Sequence, residues 1–509
     1  MEHRALALDL GSSSVRAIVF ERDSAGDVGA VAGAMARRPR HIDAQAPGQA
    51  TFDAEEYFAD LVACIDELHA KGALEGVEAI AADSQWHSVV PVGSSGTASA
   101  PVLSWADTRP PRPRRPRQPS AASLEALRQR TGCAYASMYW TWRVPWLVGN
   151  EDKASALPKG TKFLGLAEYV GMKLLADPTM SVSMASATGL LATAEHDWDG
   201  EALALAGLGG QAAAALPPLA DRDWRGELAE QWRWRWPEIA SAPWHPVLGD
   251  GAAANLGAGC DVPGRAAMTV GTSAAVRAVL PAPHPGPLPP GLWRYCVDDD
   301  HVVLGAAYSS GGQLYTWALR LWEGTTNGPG ASASTPPGVA NPRFDMPVPA
   351  PPGSDGVTVL PWHAGTRPPE AGVPSDMGAV LGLGLGHTGA HIVSASVEAV
   401  CFQLVGGLRD LEQATGGPLV VYANGGAVER SSWWQKRLAA AVGRPIYCPV
   451  VPETTSRGAA AKALGVRLSE AKAVPELVTP SAEEVAALAK ARQRWTKWYG
   501  DVLPLVVHK

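Results

Sequence analysis

The chain has 509 residues, with 43 Lys and Arg against 50 Asp and Glu, so its formal net charge is −7. This length exceeds what one hydrophobic core organises and predicts two domains of about 200–250 residues each. The acidic balance speaks against a nucleic-acid partner.

The six cysteines stand apart with no Cys-x-x-Cys spacing, which indicates buried thiols in a reducing compartment rather than disulfides or zinc ligands. The sequence shows no charged-then-apolar leader and no long apolar run, so we expect a soluble cytoplasmic protein with no membrane partner.

A predicted strand, turn and strand open the chain. Apolar runs at residues 5–8 and 15–20 flank a turn that carries Asp9, Gly11, Ser12 and Ser13. Glycine permits a close approach of the backbone, and successive N–H groups with hydroxyls suit phosphate oxygens. An ordinary hairpin also explains such a turn. Asp9 at the strand end is a candidate ligand of Mg²⁺ through water.

Residues 53–72 predict a helix with Asp53 as its N-cap and Gly72 as its stop. A strand at residues 77–82 then delivers Trp86 and His87 near its end, where open α/β sheets bind ligands.

Asp107 and Arg109 follow a short apolar run, before residues 110–119, which hold five prolines and four arginines. That run predicts a solvated basic loop, or else a segment that attracts an anionic substrate. Residues 121–208 are mostly helical in pattern. The five tryptophans of residues 224–244 are predicted to pack a domain junction, with a boundary near residue 245.

A second glycine turn, with Gly271 and Thr272, lies between apolar runs at residues 266–270 and 274–280. Asp250 precedes it, either as a general base or as the N-cap of a helix over residues 252–257. Residues 286–355 are rich in Pro and Gly, and the pattern predicts one helix there, beginning at Gly311. Residues 323–355 are predicted to form an exposed insertion. A helix is predicted over residues 388–412. A strand then leads into Gly425, Gly426 and Ala427, whose small side chains leave room for a base or ribose.

Taken together, these segments resemble the FGGY family of carbohydrate kinases. Five segments fall in the family's order: residues 9–14 and 269–273 resemble its phosphate motifs, residues 249–252 its catalytic-aspartate segment, residues 360–369 its Gly-Glu-Arg-x-Pro segment, and residues 425–427 its adenosine motif. The family's Glu is Thr366 here, and Ser394 stands near the place of its Arg before Glu398; both positions are expected to support the fold.

The resemblance implies an α/β protein with two ribonuclease-H-like (actin-like ATPase) domains and a cleft between them. The expected division is residues 1–244, residues 245–465 and a helical tail at residues 466–509. ATP and Mg²⁺ are the implied cofactors, with Asp9 and Asp250 as metal ligands and Asp250 as the catalytic base. The residues implied to bind phosphate or ATP are Gly11, Ser12, Ser13, Gly271, Thr272, Gly311, Gly425, Gly426 and Ala427.

Within the family, the segments around Trp86 and Asp107 are similar to the gluconokinase branch. The substrate is therefore expected to be a sugar or sugar acid, with D-gluconate first and a ketose or polyol as the alternative. The implied substrate-binding residues are Trp86, His87, Asp107, Arg109, Arg143 and Asp250, with Arg109 free for a carboxylate. A sugar-sensing regulator and an actin-like ATPase are alternatives of other classes, and a homodimer is a further expectation.

Overall fold

The computed structural model describes residues 3–113, 118–149, 157–283, 286–326, 350–367, 372–373, 376–470 and 475–507. Residues 114–117 of the predicted basic loop, residues 327–349 of the predicted insertion and Pro369 lie outside these ranges.

Strands and helices alternate along the chain. The strands are β1 (His3–Leu10), β2 (Ser14–Arg22), β3 (Val28–Pro39), β4 (Thr51–Phe52), β5 (Val77–Ser84), β6 (Val90–Val92), β7 (Val102–Leu103), β8 (Lys162–Leu164), β9 (Leu191–Ala192), β10 (Asp197–Trp198), β11 (Leu248–Gly249), β12 (Arg265–Val270), β13 (Ala274–Pro281), β14 (Trp293–Cys296), β15 (His301–Tyr308), β16 (Thr358–Leu360), β17 (Ala379–Leu381), β18 (Val420–Asn424), β19 (Ile446–Cys448) and β20 (Glu476–Val478).

The helices are α1 (Ala54–Ala70), α2 (Ala121–Thr131), α3 (Trp140–Gly149), α4 (Leu166–Leu174), α5 (Val182–Ser186), α6 (Gly200–Leu205), α7 (Ala212–Ala215), α8 (Glu230–Arg235), α9 (Asp250–Gly257), α10 (Gly312–Thr326), α11 (Gly389–Thr415), α12 (Gly426–Glu429), α13 (Ser432–Val442), α14 (Thr454–Ala463) and α15 (Ala482–Val507).

The first sheet has five strands in the order β3-β2-β1-β5-β11. Strand β1 pairs antiparallel with β2 and parallel with β5, and β5 pairs parallel with β11. The carboxyl ends of β1, β5 and β11 therefore meet at one edge of the sheet, which is where open α/β sheets bind their ligands.

The second sheet repeats this arrangement around the second glycine turn. Its order is β14-β15-β13-β12-β18-β19-β20. Strand β12 pairs antiparallel with β13 and parallel with β18, while β13 pairs antiparallel with β15 and β18 parallel with β19. The five strands from β15 to β19 thus match the first sheet in order and direction, as expected for two ribonuclease-H-like domains.

Helices α9 and α14 cross at contact distance and tie the two halves together. A Cβ on Gly257 would lie 1.7 Å from the carbonyl oxygen of Thr454, and one on Gly458 would lie 1.9 Å from that of Ala253. Helix α14 also packs against β1 and β5. A helix late in the chain therefore supports the first sheet and the start of α9.

The longest core helix, α11, corrects the expectation that the sequence holds no long apolar run. Helix α11 is long and apolar enough, by length and composition alone, to cross a membrane, with a hydropathy of 1.4 over its most apolar stretch. That stretch is 83% buried inside the protein. The run is therefore accounted for as the central helix that packs on α10, α13 and β13.

Two further predictions need correction. Residues 293–308 form the hairpin of β14 and β15 rather than irregular chain. Trp232 and Trp236 stack at 5.0 Å, and both meet α1, through Phe58 and Asp66 respectively, instead of packing a junction between domains.

The six cysteines are free and buried, as the sequence predicts. The boundary near residue 245 stays a prediction; β11, just beyond it, pairs with β5 of the first sheet. Residues 466–509 contain β20 and α15, so this tail adds a strand to the second sheet as well as a helix.

Candidate active site

The first glycine turn joins β1 to β2 at the ligand-binding edge of the first sheet. Gly11 accepts a hydrogen bond from the Tyr57 hydroxyl at 3.0 Å, which fixes the turn to helix α1. Ser12 lines a cavity of about 240 Å³, and Ser13 is exposed beside it. The turn is therefore held from behind while its serines face open space.

The second turn is held by the start of α10. The Gly312 N–H donates to the Gly271 carbonyl at 2.8 Å, and a Cβ on Gly311 would lie 2.5 Å from the backbone of Ser273. Thr272 is exposed, and Ser273 lines the same cavity as Ser12. The sequence did not predict a helix N-terminus at this turn. The N-terminus of α10 nevertheless lies against it, and the positive end of a helix dipole favours anions.

The predicted adenosine segment lies next to the second turn. Gly425 has a φ of 93°, and a Cβ there would lie 2.6 Å from the Val270 carbonyl oxygen. Gly426 begins α12, and Ala427 is buried. The predicted ATP residues of the second half thus meet around the ends of β12 and β18.

Asp250 is the first residue of α9 and faces the cavity. Gly249, not Asp250, occupies the N-cap position, and the Asp250 Oδ1 accepts the adjacent Gly251 N–H at 2.7 Å. Burial raises the pKa of Asp250, and the positive charge of Arg277 partly opposes this. The N-cap alternative is therefore not what the structure shows.

Trp86 packs directly over the glycines that flank Asp250. A Cβ on Gly249 would lie 1.6 Å from the indole Nε1, and one on Gly251 would lie 2.4 Å from the indole ring. The indole N–H donates to the Ser183 carbonyl at 3.1 Å. Only glycine on both sides of Asp250 leaves room for this tryptophan.

His87 adopts a left-handed backbone conformation with φ of 67° and lines the cavity. Its Nδ1 lies 2.7 Å from the Ala187 carbonyl oxygen, so this nitrogen donates and Nε2 is an acceptor. Burial lowers the pKa of His87 to about 3. The ring is therefore neutral near pH 7.

Three predicted sugar ligands lie outside the cavity. Arg109 donates to both carboxylate oxygens of Asp107, so it is not free for a substrate carboxylate as expected. Asp107 also accepts the Ala50 N–H. Arg143 is fully buried and donates to main-chain carbonyls, including those of His87 and Trp105. These side chains support the wall that carries His87.

The cavity has walls that the sequence reading did not identify. Trp293 and Tyr295 of β14 stack at 4.4 Å, and the Tyr295 ring meets Trp86 edge-on at 4.9 Å. The remaining wall residues without a predicted role are Trp105, Met138, Ser273, Arg277, Ala307 and Arg367. The apolar runs at residues 295–297 and 302–304 were the available signal for the missed strands.

A group of carboxylates lies below the first turn. The register sets Asp9 of β1 beside Asp83 of β5, and Asp9 is ion-paired with Arg16. Burial raises the pKa of Asp9 to about 6 although Arg16 opposes it. Asp83 is fully buried, and no donor among the described residues bonds either of its oxygens. Burial, followed by the charges of Asp9 and Asp250, raises the pKa of Asp83 well above its usual value.

Thr366 and Ser394, the two positions that differ from the family pattern, both make contacts within the fold. Thr366 exchanges hydrogen bonds with Val373 through its backbone and hydroxyl. Ser394 is buried near Ala350, and Glu398 accepts from Gly353 and Ser354. The contacts of Ser394 and Glu398 hold the chain in place at residues 350–354, where the described structure resumes.

Family models match both halves. The N-terminal domain of the FGGY family of carbohydrate kinases matches residues 4–257, and its C-terminal domain matches residues 266–465. The chain belongs to the FGGY family. It is thus a carbohydrate kinase, a phosphotransferase with an alcohol group as acceptor.

The similar proteins are named as kinases of several different substrates. The gluconokinase of Bacillus subtilis (strain 168) is 25% identical over 463 residues, covering 89% of this chain and 86% of its own. A glycerol kinase of Dechloromonas aromatica (strain RCB) is 29% identical over 472 residues, covering 89% and 87%. The xylulose kinase structure from Rhodospirillum rubrum superposes with a TM-score of 0.80 at 20% identity, covering 100% of both chains. This last likeness concerns the fold.

Proposed function

We propose that this kinase transfers the γ-phosphoryl group of ATP to a hydroxyl of D-gluconate, with Asp250 as the general base. One observation carries the proposal: Asp250 shares its cavity with Ser12 of the first turn and Ser273 of the second. A carboxylate there can accept the hydroxyl proton while both turns hold the phosphates.

The glycine turns account for phosphate binding. The backbone N–H groups and hydroxyls of Gly11, Ser12, Ser13, Gly271 and Thr272 would donate to phosphate oxygens. Gly311 brings α10 against the second turn, and Gly425, Gly426 and Ala427 leave space for the adenosine. Closure of the two halves would exclude water, which would otherwise compete with the sugar hydroxyl.

The acidic residues fit a magnesium ion. Asp9, Asp83 and Asp250 bring three acidic side chains together, with Arg16 paired to Asp9 and Arg277 near Asp250. No three acidic, His or Cys side chains of the described ranges are arranged to enclose an ion. Mg²⁺ that keeps most of its waters suits this arrangement. Asp9, through water, and Asp250 would hold the ion, which would neutralise charge on the phosphates.

Charge in the cavity favours a sugar acid over a neutral sugar. Arg277 and Arg367 line it with Asp250 as their single acidic neighbour among the described lining residues. The gluconokinase relative and the gluconokinase-like segments around Trp86 agree with this assignment. Xylulose and glycerol kinases among the relatives keep a ketose or polyol as the alternative substrate. The free, buried cysteines suit a cytoplasmic location.

Initial rates on D-gluconate, D-xylulose and glycerol test the substrate. We expect kcat/KM for D-gluconate to exceed the other two values about 10- to 100-fold, the worth of a charge-assisted contact. Equal or better turnover of D-xylulose would transfer the assignment to the ketose kinases.

A further inference from the structure

One arginine in the cavity has donors without a protein partner. The Nε and Nη1 atoms of Arg277 are enclosed, and no described residue accepts a hydrogen bond from them. Burial lowers the pKa of Arg277 because the guanidinium loses its hydration, and Asp250 offsets part of this loss. Enclosed donors without an acceptor on a charged side chain are costly, so their presence calls for an anionic ligand.

The side chain of Arg277 is fixed before a ligand arrives. Arg277 lies on β13 opposite Gly305 of β15. A Cβ on Gly305 would lie 3.0 Å from the Arg277 Cγ, and one on Gly251 would lie 3.0 Å from its Nε. The two glycines leave the channel that this arginine fills, so little rotational freedom is lost on binding.

A second guanidinium lies beside the first. Arg367 is placed over the Trp105 ring, 4.3 Å from its centroid. Burial, and then the like charge of Arg277, lower the pKa of Arg367 to about 10. Two cations thus face the cavity with one carboxylate, Asp250, which leaves a positive charge for a ligand to balance.

We propose that Arg277, with Arg367 beside it, binds the carboxylate of the sugar acid and selects acids over neutral sugars. This inference rests on the proposed function. Arg109 and Arg143 are less suited to this role, because neither lines the cavity, Arg109 is ion-paired with Asp107, and Arg143 donates to main-chain carbonyls.

The surroundings of Arg277 favour a carboxylate over the transferring phosphoryl group as its partner. Its neighbours in the cavity wall include Tyr295 and Trp293, and Trp293 meets the same Gly305. These aromatic residues form the sugar-facing wall, whereas the glycine turns offer backbone N–H groups to phosphate.

Equilibrium binding to the full-length protein tests the inference, with calorimetry as the readout of affinity. In Arg277→Gln we expect the Kd for D-gluconate to rise about 10- to 100-fold, as for a lost charge-assisted contact. The Kd for ADP should stay within about threefold, because the phosphate turns are untouched. Arg277→Lys should recover part of the gluconate affinity because it retains the charge.

Two controls separate a specific contact from a general loss. Arg409→Gln removes an exposed arginine that lines the neighbouring cavity and should leave both Kd values unchanged. The Tm of ligand-free Arg277→Gln should equal or exceed that of the wild type, since an unpartnered buried charge has been removed.

Three results would overturn the inference. Weaker ADP binding or a raised KM for ATP, with unchanged gluconate affinity, would assign Arg277 to the phosphates. A wild type that phosphorylates D-gluconate, with equal gluconate affinity in Arg277→Gln, would refute this inference alone. A wild type that binds no sugar acid and phosphorylates a neutral sugar would refute the proposed function as well.

Discussion

His87 shows how burial sets the chemistry of a single residue in this cavity. Its ring is enclosed by Tyr139 and Tyr295 at centroid distances of 5.3 and 5.6 Å, and its Nδ1 is committed to a main-chain carbonyl. A proton on the ring would be desolvated, so the pKa falls to about 3. The ring therefore offers Nε2 to a substrate hydroxyl as an acceptor.

The protein should lose stability on acidification partly through His87. Between pH 6.5 and about 3 the unfolded chain protonates this histidine and the native state does not, so the free energy of unfolding falls as pH falls. In His87→Asn, whose asparagine tolerates the left-handed backbone, the loss between pH 6.5 and 4.5 should shrink by about 1–2 kcal/mol. Chemical denaturation at both pH values measures it, and an equal loss in both proteins would contradict a neutral, buried ring.

Sequence motifs located four of the residues that line the cavity. Ser12, Trp86, His87 and Asp250 follow strand ends and line the cavity as the sequence suggested. Their roles as ligands stay predictions. Arg109 was expected to be free because no sequence pattern reveals that its Nε and Nη2 atoms donate to the neighbouring Asp107 carboxylate.

The sequence did not predict that Arg277 lines the cavity. It stands inside an apolar strand, where a lone arginine in alternation reads as a solvent-facing position. Its enclosure depends on Gly251 and Gly305, which are distant in sequence and meet it only in the folded sheet.

At the level of elements, the crossing of α9 and α14 positions Asp250. Helix α9 begins at Asp250, and its last turn meets α14 through Gly257 and Gly458. Arg457 of α14 also donates to the Gly257 carbonyl and to Val28 of β3. A shift of this crossing would displace the aspartate at the other end of α9.

Gly458→Ala should therefore damage both stability and turnover. The new Cβ would lie 1.9 Å from the Ala253 carbonyl oxygen, which forces the helices apart. We expect a loss of about 1–3 kcal/mol in the free energy of unfolding, with a lower kcat.

Gly406→Ala in α11 is the matched control for this substitution. Its Cβ would meet nothing within 4 Å, so the change should be neutral or stabilise by about 0.5–1 kcal/mol. Equal thermal unfolding of the two variants would show that the crossing is looser than described.

Element prediction was reliable where capping residues and glycines mark the ends. Asp53 caps α1 through the Glu55 and Glu56 N–H groups as predicted, whereas α11 runs to Thr415, three residues past its predicted end. The hairpin of β14 and β15 was missed because short strands among Pro, Gly and Asp residues resemble loop by composition. That hairpin supplies Trp293 and Tyr295, so the aromatic wall could not be foreseen.

For the whole molecule, duplication explains why two weak motifs act together. Each sheet presents one glycine turn, at the β1–β2 and β12–β13 hairpins. The repeat was readable from sequence because both turns have the same strand flanks. The contact between the two halves could not be predicted from the sequence, because it depends on packing between α9, α14 and β5.

The account's most direct test is ADP release by the wild type and Asp250→Asn, with and without D-gluconate. We expect release by the wild type only with the sugar acid, and a kcat lower by about 10²–10⁴ in Asp250→Asn with gluconate affinity retained. Sugar-independent ADP release would indicate an ATPase, and undiminished turnover in Asp250→Asn would contradict a cleft in which both halves serve one catalytic aspartate.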